Sequence, residues 1–286
     1  MKRTFLMVIS LLLVVGSATA GMRYEAVTKI LNEKGKTDQQ MVVESWVDGE
    51  RSRIQFRELR KAPVPDDAYL VTTDGGQTMI LVNPKEQTYM RWDLDLLFQS
   101  LGSMADTTGG MVELSFTDTS AEYLGAEAGG QLLGRDTVKH RMKSAFTMDM
   151  KVFGMKQRTT VRSETEAWAT TELADAGFGA WLRKTPPSTG DAGLDELIRV
   201  NAQKVEGVVL KSVTRSVTVD GKGKERPSTT VMEVTTIEAV EVSDAMFAVP
   251  DGYREVQMPT LDQLQGGQGE RPQGLGGLLK GLGGSQ

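Results

Sequence analysis

The sequence contains no cysteine and only one histidine among its 286 residues. Without cysteine, the chain cannot form a disulfide, a thiolate metal site, a cysteine nucleophile or a lipidated N-terminal cysteine. A single histidine is also too few for a histidine-rich zinc site, and it limits the chain to at most one Ser-His-Asp triad, through His140. These absences argue against most catalytic and metal chemistry, so the sequence is more informative about compartment, fold and binding.

Positive charge is also scarce, since 33 lysines and arginines face 38 aspartates and glutamates. Nucleic-acid binding depends on basic side chains that neutralise phosphates, so we expect no nucleic-acid partner. The chain has no Walker loop, no Gly-x-Ser-x-Gly elbow and no His-Glu-x-x-His motif. We therefore expect no catalytic residues, no metal and no cofactor, with a hydrolase as the enzymatic alternative.

The beginning of the chain has the pattern of a secretory signal peptide. Lys2 and Arg3 precede an almost unbroken apolar run at 5–15, and residues 18–20 have the small-residue sequence Ala-Thr-Ala. The apolar run is too short to span about 30 Å of hydrocarbon, so cleavage is favoured over an uncleaved anchor. Cleavage would create an N-terminus at Gly21 and change the formal charge from −5 to −7. We expect a soluble periplasmic protein with no transmembrane span after cleavage.

The mature chain is dominated by alternation of apolar and polar residues, which is typical of β-strands. Turn signals such as Asp48-Gly49, Asp74-Gly75-Gly76 and Asn83-Pro84 separate the alternating runs and predict an antiparallel meander. The final residues are rich in glycine, glutamine and leucine, which predicts a disordered tail, with partner contact as the alternative. The predicted organisation is a signal peptide at 1–20, one β-rich domain of ten or eleven strands at 21–256 and a disordered tail at 257–286.

Three segments have helical rather than alternating spacing, at 93–104, 175–184 and 191–204. Each would be too short to be stable alone in water, so we expect each to pack on the sheet. The predicted fold class is therefore mainly β, an open antiparallel half-barrel covered by three helical segments. The helical residues predicted to line an apolar cavity are Leu97, Phe98, Leu101, Leu194, Leu197 and Ile198.

The most informative pattern is a predicted hairpin over 138–169, in which paired residue numbers add to 307. This register sets three opposite charges against each other, each pair contributing about 0.2–1 kcal/mol, and a one-residue slip would mix the two faces. Two features count against this register, namely a phenylalanine in the turn and the pairing of Lys151 with Lys156. The three predicted charge pairs are Arg141–Glu166, Lys143–Glu164 and Asp149–Arg158.

The apolar face of this hairpin supplies the other predicted cavity-lining residues, Met142, Phe146, Met148, Met150 and Val161. Methionine is flexible and polarisable, so it suits a surface that repacks around varied apolar ligands; the alternative is that these side chains fill the core.

The titratable residues of the same hairpin have structural interpretations. His140, opposite Ala167, is expected to be partly buried and hydrogen-bonded to backbone, Ser144 or Thr165, with pH sensing as the alternative. Glu164 and Glu166 are interpreted as surface ion pairs rather than as an acid–base pair.

Several short motifs resemble a known superfamily. The segments VDGERSRIQF and YLVTTDGGQTMILVNPKEQTYMRW resemble the opening of the LolA-like lipoprotein carriers, and within them an uncharacterised bacterial periplasmic family of unknown function. The later segments LGRDTVKHRM, TEAWAT and VSDAMFAVPDGY resemble that family too. The resemblance implies a curved, unclosed sheet wrapped over helices, with an apolar space that holds acyl chains in characterised carriers. The shared motifs are turn and strand positions, so no ligand contact is carried over.

Together these patterns predict a non-enzymatic periplasmic protein that holds a lipid or other hydrophobic moiety between its sheet and its helices. Binding would bury apolar surface at roughly 25 cal/mol per Å². The alternative is an envelope protein-interaction or sensor module of the same fold, with no small-molecule ligand.

Overall fold

The computed structural model describes residues 19–59, 67–96, 112–152, 155–173, 192–193, 195–196, 198–199 and 205–257. A 3₁₀ helix, Asp244–Phe247, lies between the last two strands. The twelve strands are β1 (Thr19–Leu31), β2 (Thr37–Asp48), β3 (Arg51–Leu59), β4 (Tyr69–Thr72), β5 (Thr78–Asn83), β6 (Thr88–Asp93), β7 (Val112–Leu132), β8 (Arg135–Val152), β9 (Met155–Thr170), β10 (Val208–Asp220), β11 (Glu225–Val242) and β12 (Arg254–Glu255).

All twelve strands form one open sheet in the order β12-β6-β5-β4-β3-β2-β1-β11-β10-β9-β8-β7. β12 pairs with β6 in parallel, and the other neighbouring strands are antiparallel. The sheet therefore consists of a first meander, β1–β6, and a second meander, β7–β11, joined where β1 pairs with β11. This agrees with the predicted mainly β, open antiparallel architecture, with one strand more than the upper end of the prediction.

Two of the predicted turns have the backbone geometry that their sequences favour. Gly49 has φ of 59° in the turn between β2 and β3, a conformation that costs glycine little. Before β5, the Asp74 carboxylate accepts hydrogen bonds from the Thr78 backbone N–H at 2.9 Å and from the Thr72 hydroxyl at 3.0 Å. Burial raises the pKa of Asp74, but these hydrogen bonds outweigh it and the net pKa is lowered.

The register predicted for the hairpin of β8 and β9 is confirmed. Every pair from Val138↔Ala169 to Val152↔Met155 follows the predicted sum. Lys143 Nζ lies 3.0 Å from the Glu164 carboxylate. Arg158 lies 3.7 Å from Asp149, so two of the predicted charge pairs also make contact as ion pairs.

The two residues of the third predicted pair are opposite each other in the sheet, but the glutamate forms its ion pairs with other residues. Arg141 is the Cα partner of Glu166, whereas the Glu166 carboxylate lies 3.1 Å from both Lys139 and Arg215. Lys139 is a diagonal neighbour on β8 and Arg215 is a neighbour on β10. A carboxylate inside a sheet has cations on both sides, which a two-strand prediction does not consider.

In the described part of the chain, the three helical segments predicted to cover the sheet are not seen as continuous helices, which corrects the predicted helical cover. Helical backbone occurs at 94–96 and at six positions between 192 and 199, whereas 97–104 and 175–184 lie outside the described residues. Part of the cover is supplied instead by the chain after β11, because Phe247 and Val249 pack against the sheet. Among the described residues, no helix has the length and apolar character needed to cross a bilayer.

Alternation along the strands gives the sheet two chemically different faces. We call one the hydroxyl face, which carries Met142, Ser163, Thr214, Thr28 and Tyr24 according to the strand registers. The other is the charged face, and the same registers place Lys143, Glu164, Arg215, Arg23 and Arg53 on it.

Each face carries one hydrophobic cluster, and both clusters involve β1–β5 or the adjoining part of β11. On the hydroxyl face, the buried members are Met22, Tyr24, Ala26, Val47, Leu173, Val208, Leu210 and Val234. On the charged face, they are Tyr69, Val71, Val82, Val242 and Phe247. The first meander is therefore covered on both of its faces.

Candidate binding face

The predicted cavity-lining residues of the hairpin lie together on the hydroxyl face. Met142, Phe146, Met148 and Met150 occupy alternate positions of β8, and Val161 of β9 is the Cα partner of Phe146. Met142 is buried, whereas the other four are half-buried and keep part of their surface exposed. The structure thus brings Phe146, Met148, Met150 and Val161 together across two adjacent strands, whereas Met142 lies beyond Ser144 and opposite Thr165.

A phenylalanine that the sequence analysis did not single out extends this apolar area onto β7. Phe116 is the Cα partner of Met148, and its ring centroid lies 6.0 Å from that of Phe146 in an edge-to-face arrangement. Such a geometry is favourable for aromatic pairs. We call Phe116, Phe146, Met148, Met150 and Val161 the apolar patch.

Two rows of hydroxyl groups lie beside the apolar patch and cross the sheet perpendicular to the strands. Each row is formed by consecutive Cα partners on neighbouring strands, and each contains a direct hydrogen bond, between Ser163 and Ser216 at 2.9 Å and between Thr165 and Thr214 at 3.0 Å. The serine row is Ser144, Ser163, Ser216 and Ser228, and the threonine row is Thr165, Thr214 and Thr230.

The hydroxyl rows change the chemistry expected for this face. From Met142, Phe146, Met148, Met150 and Val161, the sequence predicted an apolar cavity lining. In the structure the apolar patch is bordered by side chains that each donate one hydrogen bond and accept two. The face therefore offers an apolar area and an uncharged polar area side by side.

His140 lies on the same face, at the far side of the threonine row, and is only 6% exposed. It is the Cα partner of Ala167, as predicted, and its Nδ1 lies 2.9 Å from the Tyr123 hydroxyl. The prediction of a buried, hydrogen-bonded histidine is confirmed, but its partner is Tyr123 rather than Ser144 or Thr165. Burial lowers the pKa of His140, and the charge of Glu206 opposes this, so the imidazole is neutral at pH 7.

The glutamates on the charged face do not form an acid–base pair. Hydrogen bonds from Arg215 and Lys139 lower the pKa of Glu166, which therefore remains ionised, and Glu164 pairs with Lys143. A general acid needs a raised pKa, so this arrangement is that of a salt-bridged surface. Within the described ranges, no three histidine, cysteine, aspartate or glutamate side chains are grouped closely enough to hold a metal ion.

Most of the cavity-lining residues predicted on helices cannot be placed. Ile198 is described, in helical backbone and half-buried. Nearby Gly193 lies against Thr119 of β7, so close that an added Cβ would be 2.5 Å from the Thr119 hydroxyl oxygen. The segment that carries Ile198 therefore approaches the edge strand of the second meander. Leu97, Phe98, Leu101, Leu194 and Leu197 lie outside the described residues.

Comparison with known proteins gives only distant structural similarity. No protein-family model matches the chain, and no curated protein matches it. The chain is similar to PNGF-II, solved in space group P21, with 13% identity over 86% of this chain and 33% of that chain, at a TM-score of 0.34. The chain thus spans about a third of PNGF-II.

A second similarity is to a protein of the DUF1329 family from Desulfovibrio piger ATCC 29098. It has 14% identity over 80% of this chain and 89% of that chain, at a TM-score of 0.28. TM-scores this low do not establish a shared fold, and neither similarity assigns a function.

Proposed function

We propose that this chain is exported to the periplasm and binds the apolar part of a lipid or another hydrophobic molecule on the hydroxyl face, without catalysing a reaction. The observation that carries the proposal is the apolar patch, whose side chains remain partly exposed on one face of the sheet. A ligand that covered the patch would gain about 25 cal/mol for each Å² of apolar surface buried.

The hydroxyl rows beside the patch define what the other end of the ligand should be. Serine and threonine hydroxyls donate and accept hydrogen bonds, so they complement groups that do the same, such as ligand hydroxyls or amides. The rows carry no charge, and His140 beyond them is neutral at pH 7. The ligand that fits is an amphiphile with an apolar chain and an uncharged polar end.

Two features of the sequence support the proposed compartment and class. Residues 1–20 have the pattern of a cleaved signal peptide, and the strand and turn motifs resemble those of LolA-like carriers. Export predicts a mature N-terminus at Gly21. Intact mass measured on protein purified from the periplasm checks this, and retention of residues 1–20 would contradict the proposed processing.

The binding proposal is tested with a fluorescent fatty-acid probe and Phe146→Asp. Phe146 contacts Phe116 edge-on in the centre of the patch, so a carboxylate there should abolish probe uptake and destabilise the fold, since it is costly to bury unpaired. Phe146→Leu keeps the position apolar and should retain binding. Lys143→Ala, on the opposite face, should leave binding unchanged. Absence of probe binding by the wild type would refute the proposal and indicate a patch that only packs.

A second candidate function is a protein-interaction module, which the length of an edge strand favours. β7 has 21 residues and lies at one end of the strand order. An edge strand offers backbone hydrogen-bonding groups to an extended segment of another protein. Native mass spectrometry of protein purified from its own host separates the two candidates: a retained lipid supports the carrier, and a stoichiometric protein supports the module.

A further inference from the structure

Arg53 on β3 is held between two aromatic side chains on the charged face. Its guanidinium carbon lies 3.7 Å from the centroid of the Tyr69 ring and 5.9 Å from that of Trp46. Both distances are within the range of cation–π attraction. The aromatic rings fix the position of the guanidinium, and the residue as a whole remains partly exposed.

The hydrogen-bonding capacity of this guanidinium is mostly unused. Its Nη2 donates to the Gln55 side-chain oxygen at 3.2 Å, whereas its Nε is buried and has no hydrogen-bond partner. Buried donors of native proteins nearly always have partners, so an unsatisfied one requires an explanation. One explanation is a ligand that accepts the missing hydrogen bond.

The neighbouring carboxylates already form ion pairs with other arginines. Glu44, buried on β2, accepts hydrogen bonds from Arg23 at 2.5 Å and from Arg57 at 2.6 Å. Glu238 also pairs with Arg23, at 2.5 Å. Among the described residues, no carboxylate forms an ion pair with Arg53. No carboxylate in the described part of the chain therefore compensates the positive charge of Arg53.

The electrostatic surroundings of Arg53 also favour the binding of an anion. Burial lowers its pKa, and the positive charge of Arg57 lowers it further, while Tyr69 opposes both. A guanidinium nonetheless stays charged at any physiological pH. A partly buried charge that has lost water and gained no counter-ion would be stabilised by an incoming anion.

We propose that Arg53 is the centre of a binding site for an oxyanion, a carboxylate or phosphate group, that approaches the edge of the guanidinium beside the rings of Tyr69 and Trp46. The planar fork of an arginine can bind two oxygens of such a group side by side through Nε and Nη. The ligand would replace the long contact with Gln55 and would satisfy the buried Nε. This site lies on the face opposite to the proposed lipid-binding face, so its existence does not depend on that proposal.

The test uses the full mature chain titrated with sodium phosphate and, separately, with sodium acetate, at an ionic strength held constant with sodium chloride. Tryptophan fluorescence includes the emission of Trp46 next to the site together with that of the three other tryptophans, and thermal unfolding reports on stabilisation by a bound ligand. We expect a saturable change in emission with a rise in Tm of a few degrees. A response to phosphate alone would identify a phosphate ligand, and a response to acetate would identify a carboxylate.

Three variants make the outcome specific to Arg53. Arg53→Met keeps the apolar stem and removes the uncompensated charge, so it should fold with an undiminished Tm and show no response. Arg53→Lys keeps the charge but loses the fork, and should bind about tenfold more weakly. The control Arg215→Met removes an exposed arginine of the same face that pairs with Glu166, and should respond like the wild type. An equal response of Arg53→Met, or no saturable response of the wild type to either anion, would overturn the proposal.

Discussion

The first meander and strands β7–β10 of the second meander are built differently, although they belong to the same sheet. In the first meander the buried apolar side chains lie on both faces, and they are Met22, Tyr24, Ala26, Val47, Ile54, Tyr69, Val71 and Val82. In β7–β10 they are fewer and smaller, namely Met142, Ala167, Ala169, Val208 and Leu210. The first meander therefore buries more apolar side chains than β7–β10 do, and the long strands leave apolar and hydroxyl side chains partly exposed on their surface.

Charged groups follow the same division. In the first meander Glu44 is 6% exposed and is hydrogen-bonded to two arginines. In the second meander the side chains of Lys143 and Glu164 are 50% and 60% exposed. Solvent weakens an exposed pair, whereas a buried carboxylate depends on its partners. The same residue types therefore contribute to folding in one region and mainly to register and solubility in the other.

The largest effect that would sharpen this comparison is expected from a matched pair of valine substitutions. Val71 is fully buried in the first meander, so Val71→Ala should lower the free energy of unfolding by about 2–3 kcal/mol through lost burial and a cavity. Val161 is half-buried in the apolar patch, and Val161→Ala should cost less than about 1 kcal/mol. Urea unfolding measures both. Equal losses would show that the patch is as much a part of the core as the first meander.

A smaller effect is expected at a close contact between β7, β8 and β9 of the second meander. A Cβ on Gly129 would lie 2.5 Å from the Thr137 hydroxyl oxygen and 2.8 Å from Cδ1 of Trp168. Gly129→Ala should therefore destabilise the protein by about 1–3 kcal/mol through overpacking. Hydrogen exchange should show the loss of protection in β7 and β8, with β1–β6 little affected. Unchanged exchange in β7 would mean that this edge is looser than its contacts indicate.

The next effect is a pH dependence that originates in β8. Since burial lowers the pKa of His140, the unfolded chain binds more protons than the folded chain below the ordinary histidine value of about 6.5. Stability should therefore fall as the pH drops below that value towards the lower pKa of the folded state. His140→Gln removes the titrating group while keeping an acceptor for Tyr123, so its stability between pH 7 and pH 5 should vary less. Parallel profiles for the two proteins, measured by urea unfolding, would contradict this account.

The smallest effect is expected on the charged face. Lys143→Ala removes one exposed ion pair with Glu164, so the free energy of unfolding should change by less than about 1 kcal/mol. The change should decrease further in high salt, which screens the same interaction. A loss as large as that of Val71→Ala would show that the charged face of the long strands contributes to the core.

The sequence was sufficient to predict the β8–β9 hairpin because two independent patterns agreed there. Alternation assigned residues to faces, and three charge pairs selected one register among several. The Asp-Gly turns were also predictable, since a positive φ favours glycine locally. These features depend on interactions between residues that are close in the chain.

The features that could not be predicted depend on which strands become neighbours. Pairing of β1 with β11 joins residues 198 to 223 positions apart, and alternation alone does not specify such a partner. The hydroxyl rows exist only because four strands align Ser144, Ser163, Ser216 and Ser228. Likewise, bulges in β7 shift its register. The position of Tyr123 next to His140 could therefore not be predicted from the alternation of apolar and polar residues.

The sheet has two ends, and they differ in their capacity for self-association. At one end, β6 is paired with β12, which has only two residues, Arg254 and Glu255, both exposed. Within the described part of the chain, β7 at the other end is the only long strand that has a partner on one side alone. If two copies paired through β7, both outer ends of the joined sheet would be the short, charged β12. Edge-to-edge growth through the described strands would then be expected to stop at two chains.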